Sequence, residues 1–322
     1  IFLKVLDVPN DPRKIHKKPM PLLGGLGIFF AFLLGYMLFA PKNNLMIAVL
    51  IGSFLIMLLG LFDDMTKSET PMPNKYKVLV QLIVAAIVVF YGGLELTKIT
   101  LFGMTITFTS IPFLSEFLSI LIIVATINAI NLIDGLDGLC AGISSIYFLT
   151  IAIIGFILNK FGGLDVILSL IMLGSTLGYL VHNFPPARIY QGDAGSTFLG
   201  FMIAVIFLLG FKTTTLTSLI IPMLILAIPI MDTLFAIIRR TINGKPIGSP
   251  DKEHIHHQLL KRLSTRKTIL TIYGVDLIFS VVTVFYAIGY KDEMVIFYIL
   301  LVFILLFLVF KTNVIFTNKE KK

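Results

Sequence analysis

Phe117 to Gly138 reads FLSILIIVATINAINLIDGLDG. Its first half is almost wholly apolar, and its second half sets Asn128, Asn131, Asp134 and Asp137 into the run at every third position. A spanning helix needs about 20 mostly apolar residues, so the stretch reads as a membrane helix with a polar end. Steps of three turn an α-helix by about 300° each. The four side chains therefore follow an inclined stripe unless Gly135 bends the chain. Amides in hydrocarbon can glue helices together. Two carboxylates exceed what glue requires, and carboxylates at membrane depth are costly and usually functional.

The same pattern recurs along the chain. It is 57% hydrophobic and only 14% charged, with a mean hydropathy of +0.96. Soluble domains carry about a quarter charged residues. Ten candidate spans follow, at about 22–40, 45–62, 78–93, 117–133, 139–158, 165–182, 197–211, 216–238, 268–289 and 294–311. The longest polar stretch, Arg239 to Lys267, is too short for an independent soluble core. The expected fold is an all-α polytopic membrane protein forming one integral membrane domain over 1–322. Glu95 to Ser110 alternates polar and apolar residues around Gly103, which predicts a small outer β-hairpin. The single Cys140 excludes an internal disulfide.

Ten spans place the connecting segments alternately on two sides. One side holds 1–21, 63–77, 134–138, 183–196, 239–267 and the C-terminal tail, with 21 of the 26 Lys and Arg; the other holds five. The positive-inside rule assigns the first side to the cytoplasm. The net charge of +8 follows from this bias and calls for no nucleic-acid partner. Asp63, Asp64, Asp134, Asp137, Asp193 and Asp232 all fall on that side or at its helix ends, as do His16, His182, His254, His256 and His257. Chemistry here would use cytoplasmic reactants at the membrane boundary.

Each remaining motif has a plain reading beside a functional one. Asp63-Asp64 closes the second span. Acidic pairs often end helices, but adjacent carboxylates repel and must hold a proton or face cations. Gln191-Gly192-Asp193-Ala194-Gly195-Ser196 precedes another span. Its glycines allow close backbone approach, and a helix N-terminus favours anions. Asp193 would repel a bare phosphate, a conflict that a divalent cation held by carboxylate and phosphate resolves. Ser249 and Pro250 suit a helix start before Asp251-Lys252-Glu253-His254-Ile255-His256-His257. His254 and His257, three apart, would act together on a phosphate or sugar better than as structural metal ligands. Arg13, Lys14 and His16 read equally as phosphate contacts or as membrane-surface anchors. Asp232 follows the helix-kinking Pro222 and Pro229 and suggests a pocket wall. Asp276, midway along the ninth span, has no assigned role.

Together the motifs resemble the polyprenyl-phosphate N-acetylhexosamine-1-phosphate transferases. The segments are DVPNDPRKIHKKPMPLLGG (7–25), FDD (62–64), NAINLIDGLDG (128–138), FPPARIYQGDAGSTFLG (184–200) and PDKEHIHHQLL (250–260). They run in family order along nearly the whole chain. The family has ten or eleven spans, and an eleventh would belong to a segment ahead of Ile1. Ser249-Pro250-Asp251-Lys252 and His-Ile-His-His resemble the bacterial branch that uses UDP-N-acetylglucosamine and primes wall teichoic acid or O-antigen-type glycans. The resemblance implies transfer of N-acetylglucosamine 1-phosphate to undecaprenyl phosphate with release of UMP, in the bacterial cytoplasmic membrane, with Mg²⁺ or alternatively Mn²⁺. It implies Asp193 as metal ligand and Asp63 or Asp64 positioning the lipid phosphate, with Asp134 and Asp137 lining the nucleotide-sugar pocket or supporting the metal. His254, His256 and His257 would contact sugar or diphosphate. Asn128, Asn131, Gly192, Gly195 and Ser196, with Arg13, Lys14 and His16, complete the expected binding residues. A homodimer is compatible with the family.

Three rivals stand beside this reading. The phospho-N-acetylmuramoyl-pentapeptide branch would change the substrate and keep the chemistry. A secondary transporter also has buried carboxylates and kinked helices, but its site would lie near the bilayer midplane. A non-catalytic lipid-binding protein would have little use for six acids on one face.

Overall fold

The structure, a computed structural model, describes residues 6–7, 19–66, 72–101, 104–212, 221, 225–244 and 254–311. Its helices are α1 (Gly24–Phe39), α2 (Asn44–Thr66), α3 (Asn74–Ala86), α4 (Leu114–Ile133), α5 (Leu139–Ile157), α6 (Leu164–Asn183) and α7 (Gly192–Lys212). These are followed by α8 (Ala227–Ile242), the short α9 (Ile255–Leu260), α10 (Thr265–Ala287) and α11 (Lys291–Lys311). The chain packs as two compact units, residues 1–219 and 220–322.

Among the described residues, seven helical segments are long and apolar enough to cross a membrane: α2, α3 with its continuation to Tyr91, α4, α5, α6, α7 and α10. α1 and Glu293–Ile304 within α11 are shorter apolar helices. The protein is an all-α polytopic membrane protein, as the hydropathy pattern requires. The expected span at 216–238 is represented by α8, because 213–220 and 222–224 lie outside the described residues. α3 closes in one wider π turn, Ile87–Tyr91. The expected hairpin is present, with β3 (Lys98–Leu101) antiparallel to β4 (Met104–Thr107) and Lys98 opposite Thr107. A second two-residue ladder pairs β1 (Leu6–Asp7) with β2 (Met20–Pro21).

In the first unit α7 is the central helix. It is apolar on every side, and a helix of that composition belongs in the interior of a bundle. Every residue from Ala194 to Gly210 is buried. α2 and α4 make its broadest packing surfaces, with α1, α5 and α6 completing the surround. Phe198 stands edge-on to Phe29 and Phe32 of α1 at 5.6 and 5.2 Å between ring centres. Such offset aromatic contacts add to the gain from burial. α5 and α6 are joined by the Ser145 hydroxyl donating to Thr176 at 2.9 Å, a small polar tie suited to helices in lipid.

The α4–α7 approach depends on Gly200. A β-carbon there would meet Ile127 Cα at 2.7 Å and Ile127 O at 3.1 Å. Gly200→Val therefore pushes α4 off the central helix, and overpacking of this kind costs about 1–3 kcal/mol. The expected result is a lower unfolding midpoint in detergent. An unchanged midpoint would show that the helices part without penalty.

α7 begins five residues earlier than the hydropathy pattern places it. The Gly192–Ser196 motif therefore forms the helix's first turn and a half instead of a loop before it. The start at 197 was set by hydropathy, which cannot see that a Gly-Asp-Ala-Gly-Ser stretch is helical when its N–H groups are capped from outside.

Candidate active site

The first turn of α7 collects the site. Gly192 has φ +66°, a left-handed conformation that suits glycine. A β-carbon at Gly192 would run into the Asp64 carboxylate. That carboxylate accepts the N–H of Asp193 at 2.9 Å on Oδ1 and the N–H of Ala194 at 3.0 Å on Oδ2. The first N–H groups of a helix have no intrahelical acceptor, and a negative charge there is favoured by the helix dipole. Asp64, from the end of α2, thus caps α7 with both oxygens while buried.

Asp63 faces another way. Its Oδ2 accepts from the Lys77 ammonium at 2.5 Å, and the same ammonium reaches Asp193 Oδ2 at 3.0 Å. Two carboxylates from α2 and α7 therefore converge on one cation from α3. Asp63 Oδ1 is buried and has no hydrogen-bond partner among the described residues. The Asp63 side chain is 2% exposed, Asp193 18% and Lys77 23%, so the cluster opens to its surroundings on the Lys77–Asp193 side.

The polar end of α4 meets the same turn. Asn131 Nδ2 donates to Ser196 Oγ at 2.8 Å, and Ser196 Oγ donates to Gly192 O at 3.0 Å. Asp134 caps the C-terminal end of α4 in a non-helical conformation, so the chain leaves the helix there, one residue before Gly135. Asp137 Oδ2 accepts the N–H of Ala187 at 2.9 Å, and Asn183 Oδ1 accepts the N–H of Gly138 at 2.7 Å. Tyr190 lies among these acids. Burial first, then the charge of Asp137 with Asp7 and Asp134 further contributing, holds its phenol well above the usual range. Gly24 and Gly25 donate N–H groups to Tyr190 O at 2.9 Å and Gln191 O at 3.1 Å. A β-carbon on Gly195 would meet Gly25 Cα at 3.0 Å, so the start of α1 packs directly on the α7 turn. Asn128 sits deeper, its amide donating to Gln81 Oε1 and to Val124 O, both at 2.7 Å; this joins α4 to α3.

The first unit thus brings Asp63, Asp64, Asn131, Gly192, Asp193, Gly195 and Ser196 to one helix turn, with Asp134 and Asp137 grouped around the adjoining Tyr190. Arg13, Lys14 and His16 lie outside the described residues, as does 245–253 with Ser249 and Pro250. The sequence pattern gives no prominence to Lys77 or Tyr190. Lys77 had a signal: it stands in the first turn of α3, where the helix dipole disfavours a cation.

The second unit carries the histidines. His254 precedes α9 in an extended conformation, while His256 and His257 lie in the helix. His254 lies outside the helix that holds His257, and His256 makes ring contacts with both. His254 and His256 stack at 5.6 Å between centres and 8° between planes, and His256 and His257 approach to 4.4 Å. Burial pushes the His256 imidazole down to about 3, so the ring is neutral. Its two nitrogens have no partner among the described residues. Asp232, on α8, bonds His254 Nδ1 at 2.8 Å through Oδ2 and accepts the Ile255 N–H at 2.8 Å through Oδ1.

The residues suit a hard divalent cation. Mg²⁺ is usually held by one or two carboxylates together with substrate phosphates. Asp63 and Asp193 already bracket a cation, and the unpartnered Asp63 Oδ1 offers a further oxygen. No group of three or more His, Cys, Asp or Glu side chains among the described residues forms a closed metal cage, so phosphate oxygens would have to complete the coordination.

The chain can be compared with known proteins on this basis. The family model described as Glycosyl transferase family 4 matches residues 46–211, which spans α2 to α7 and the whole first-unit cluster. The chain is 41% identical over 293 residues to a "Probable undecaprenyl-phosphate N-acetylglucosaminyl 1-phosphate transferase" of Bacillus subtilis, covering 87% of this chain and 77% of that protein. It is 32% identical over 297 residues to a "Decaprenyl-phosphate N-acetylglucosaminephosphotransferase" of Mycolicibacterium smegmatis, covering 81% and 70%. It is 30% identical over 306 residues to an "Undecaprenyl-phosphate alpha-N-acetylglucosaminyl 1-phosphate transferase" of Haemophilus influenzae, covering 91% and 82%. A family match across the carboxylate cluster, with relatives at this identity over most of their length, makes the chain a member of glycosyl transferase family 4.

Proposed function

We propose that this protein transfers N-acetylglucosamine 1-phosphate from UDP-N-acetylglucosamine to undecaprenyl phosphate, releasing UMP, at the cytoplasmic face of a bacterial membrane. The names of the matching relatives support the reaction. The observation that carries it is the Asp63–Lys77–Asp193 cluster at the N-terminal turn of a buried membrane helix. Both reactants are anionic, so the site must offset their mutual repulsion before a bond can form.

In this reading an oxygen of the lipid phosphate attacks the sugar-bearing phosphorus of the donor. The bond from that phosphorus to the bridging oxygen breaks, and UMP leaves with its electron pair. The lipid phosphate's second pKa is near ~6, so most of it is already ionised at neutral pH. Orientation then matters more than proton removal. Lys77 supplies a fixed positive charge where the phosphates meet, and Asp63 and Asp193 hold it in place. Asp193 and Asp63 would hold Mg²⁺, which when bound would neutralise charge on the diphosphate. Asp64 keeps the α7 turn in shape. Asp134, Asp137 and Tyr190 form the wall toward the nucleotide sugar. The muramoyl-pentapeptide alternative finds no support in the relatives' names.

The test is UMP release by the purified protein in lipid nanodiscs with UDP-N-acetylglucosamine, undecaprenyl phosphate and Mg²⁺. The expected result is UMP formation that needs all three and stops with EDTA. Activity only with UDP-N-acetylmuramoyl-pentapeptide would move the protein to the other branch. Uptake of substrate into vesicles without UMP would make it a transporter.

A further inference from the structure

A groove of about 470 Å³ lies between α2 and α3 in the first unit, and every side chain that lines it is apolar. Leu55, Leu58, Leu59 and Phe62 of α2 form one wall, and Val80 of α3 stands in the other. Leu59 is buried while Leu58 and Phe62 are exposed, so the groove has a floor and an open side. Helix geometry fixes its position relative to the ion cluster. Residues three or four apart share a helix face. Leu55 and Leu59 form an i, i+4 row with Asp63, and Val80 stands three residues beyond Lys77. The end of α2 and the start of α3 meet at the Asp63–Lys77 pair. Leu59 and Val80 therefore each lie about one turn deeper in their helices than that pair. From Asp63 to Leu55 the row descends about 12 Å along α2.

We propose that this groove receives the first isoprene units of the polyprenyl acceptor, so that its phosphate arrives at Lys77. This rests on the proposed function, which puts Lys77 where the phosphates meet. An apolar groove facing a bilayer gains little by excluding water, because lipid tails are as apolar as leucine. What it offers is shape, through many weak contacts at van der Waals distance along one chain. The Lys77 ammonium is partly open at 23% side-chain exposure. It complements an anionic head, and the groove one turn deeper complements a hydrocarbon tail. A polyprenyl phosphate joins the two in one molecule. Holding the start of the chain turns the phosphate toward the cluster, and orientation is the contribution this reaction needs.

Leu55→Trp fills the deep end of the groove two turns away from the ion cluster. In the nanodisc assay it is expected to raise the KM for undecaprenyl phosphate about tenfold, the worth of roughly ten lost atom contacts. The KM for UDP-N-acetylglucosamine is expected to stay unchanged. An unchanged acceptor KM, or a donor KM that rises equally, overturns the proposal. A second measurement needs neither the variant nor turnover. The wild type in nanodiscs is irradiated with an undecaprenyl phosphate analogue that carries a diazirine on its second isoprene unit, and the adduct is mapped by peptide mass spectrometry. The expected adduct lies on α2 between Leu55 and Phe62 or on α3 beside Val80. Excess undecaprenyl phosphate should suppress it, and excess phosphatidylglycerol should not. Adducts found only elsewhere overturn the proposal, and so does equal suppression by phosphatidylglycerol, which would make the groove a seat for ordinary bilayer lipid. If the wild type releases no UMP, the proposed function fails, while the mapped adduct still decides where the polyprenyl chain sits. If UMP is released and the adduct lies elsewhere, the proposed function stands and the groove assignment fails.

Discussion

Asp193→Asn is expected to lower UMP release by about 10³-fold while leaving the fold intact. The substitution keeps size and hydrogen-bonding reach and removes one negative charge. The Asp193 backbone N–H still meets Asp64, and Thr197 Oγ1 still donates to the Asp193 carbonyl at 2.6 Å, so the helix turn keeps its capping. Lys77 keeps Asp63 as a partner. What is lost is half of the anionic bracket around the cation position, in a site whose assigned task is to neutralise phosphate charge. Losing one aligned electrostatic group in a catalytic site costs about 10²–10³ in rate, and loss of metal charge would push the effect to the upper end. The measurement is UMP release across a Mg²⁺ titration. A normal rate at ordinary Mg²⁺, with the same midpoint, would remove Asp193 from the site's chemistry. A rate restored by raised Mg²⁺ would instead tie the defect to metal affinity.

The helices were legible in the sequence because membrane hydropathy is a strong and redundant signal. A run of about 20 apolar residues leaves little freedom, and α4 and α5 follow the expected bounds to within three residues at each end. The hairpin at 98–107 was legible because alternation around a glycine is specific. That Asp63, Asp64 and Asp193 gather was also legible, since each falls at the end of a span that could be counted. Hydropathy does not report where polar atoms find their partners. It therefore could not reveal that the Gly192 motif is itself helical, its N–H groups capped by a carboxylate 129 and 130 positions earlier in the chain. The placement of Lys77 between Asp63 and Asp193 depends on α3 packing beside α2, a tertiary fact. Asn128 and Asn131 look alike in the polar stripe, yet one joins α4 to α3 through Gln81 and the other reaches Ser196 at the site. The stripe winds around the helix, and so its members meet different neighbours. Similarly, Ser249 and Pro250 predict a helix that runs on through the histidines. His254 instead lies just outside the helix because Asp232 holds its ring and the next N–H.

The adjacent carboxylates Asp63 and Asp64 are expected to respond oppositely to removal, and the contrast separates architecture from chemistry. Asp64→Ala takes the acceptor away from two backbone N–H groups at the start of the central helix, one of them on the fully enclosed Ala194. Hydrogen bonds to a charged group are worth about 1.5–3 kcal/mol each, and stranded donors add a desolvation cost. Asp64→Ala is thus expected to destabilise the first unit by about 3 kcal/mol or more. Asp64→Asn should lose less, since one oxygen can still accept one of the two N–H groups. Both lower UMP release, because Gly192 in its left-handed turn is shaped against the Asp64 carboxylate. Asp63→Asn behaves differently. Its Oδ1 has no partner among the described residues, and the amide oxygen can still accept from Lys77, so stability should hold while activity falls steeply. Unfolding midpoints in detergent, measured beside UMP release for the same three variants, check the contrast. Equal destabilisation by Asp63→Asn and Asp64→Asn would mean that the pair acts as one acidic helix end. Stability lost only at Asp64, with activity lost at both, would mean that two neighbouring carboxylates divide the work: one holds the central helix in register, and the other faces the reacting phosphates.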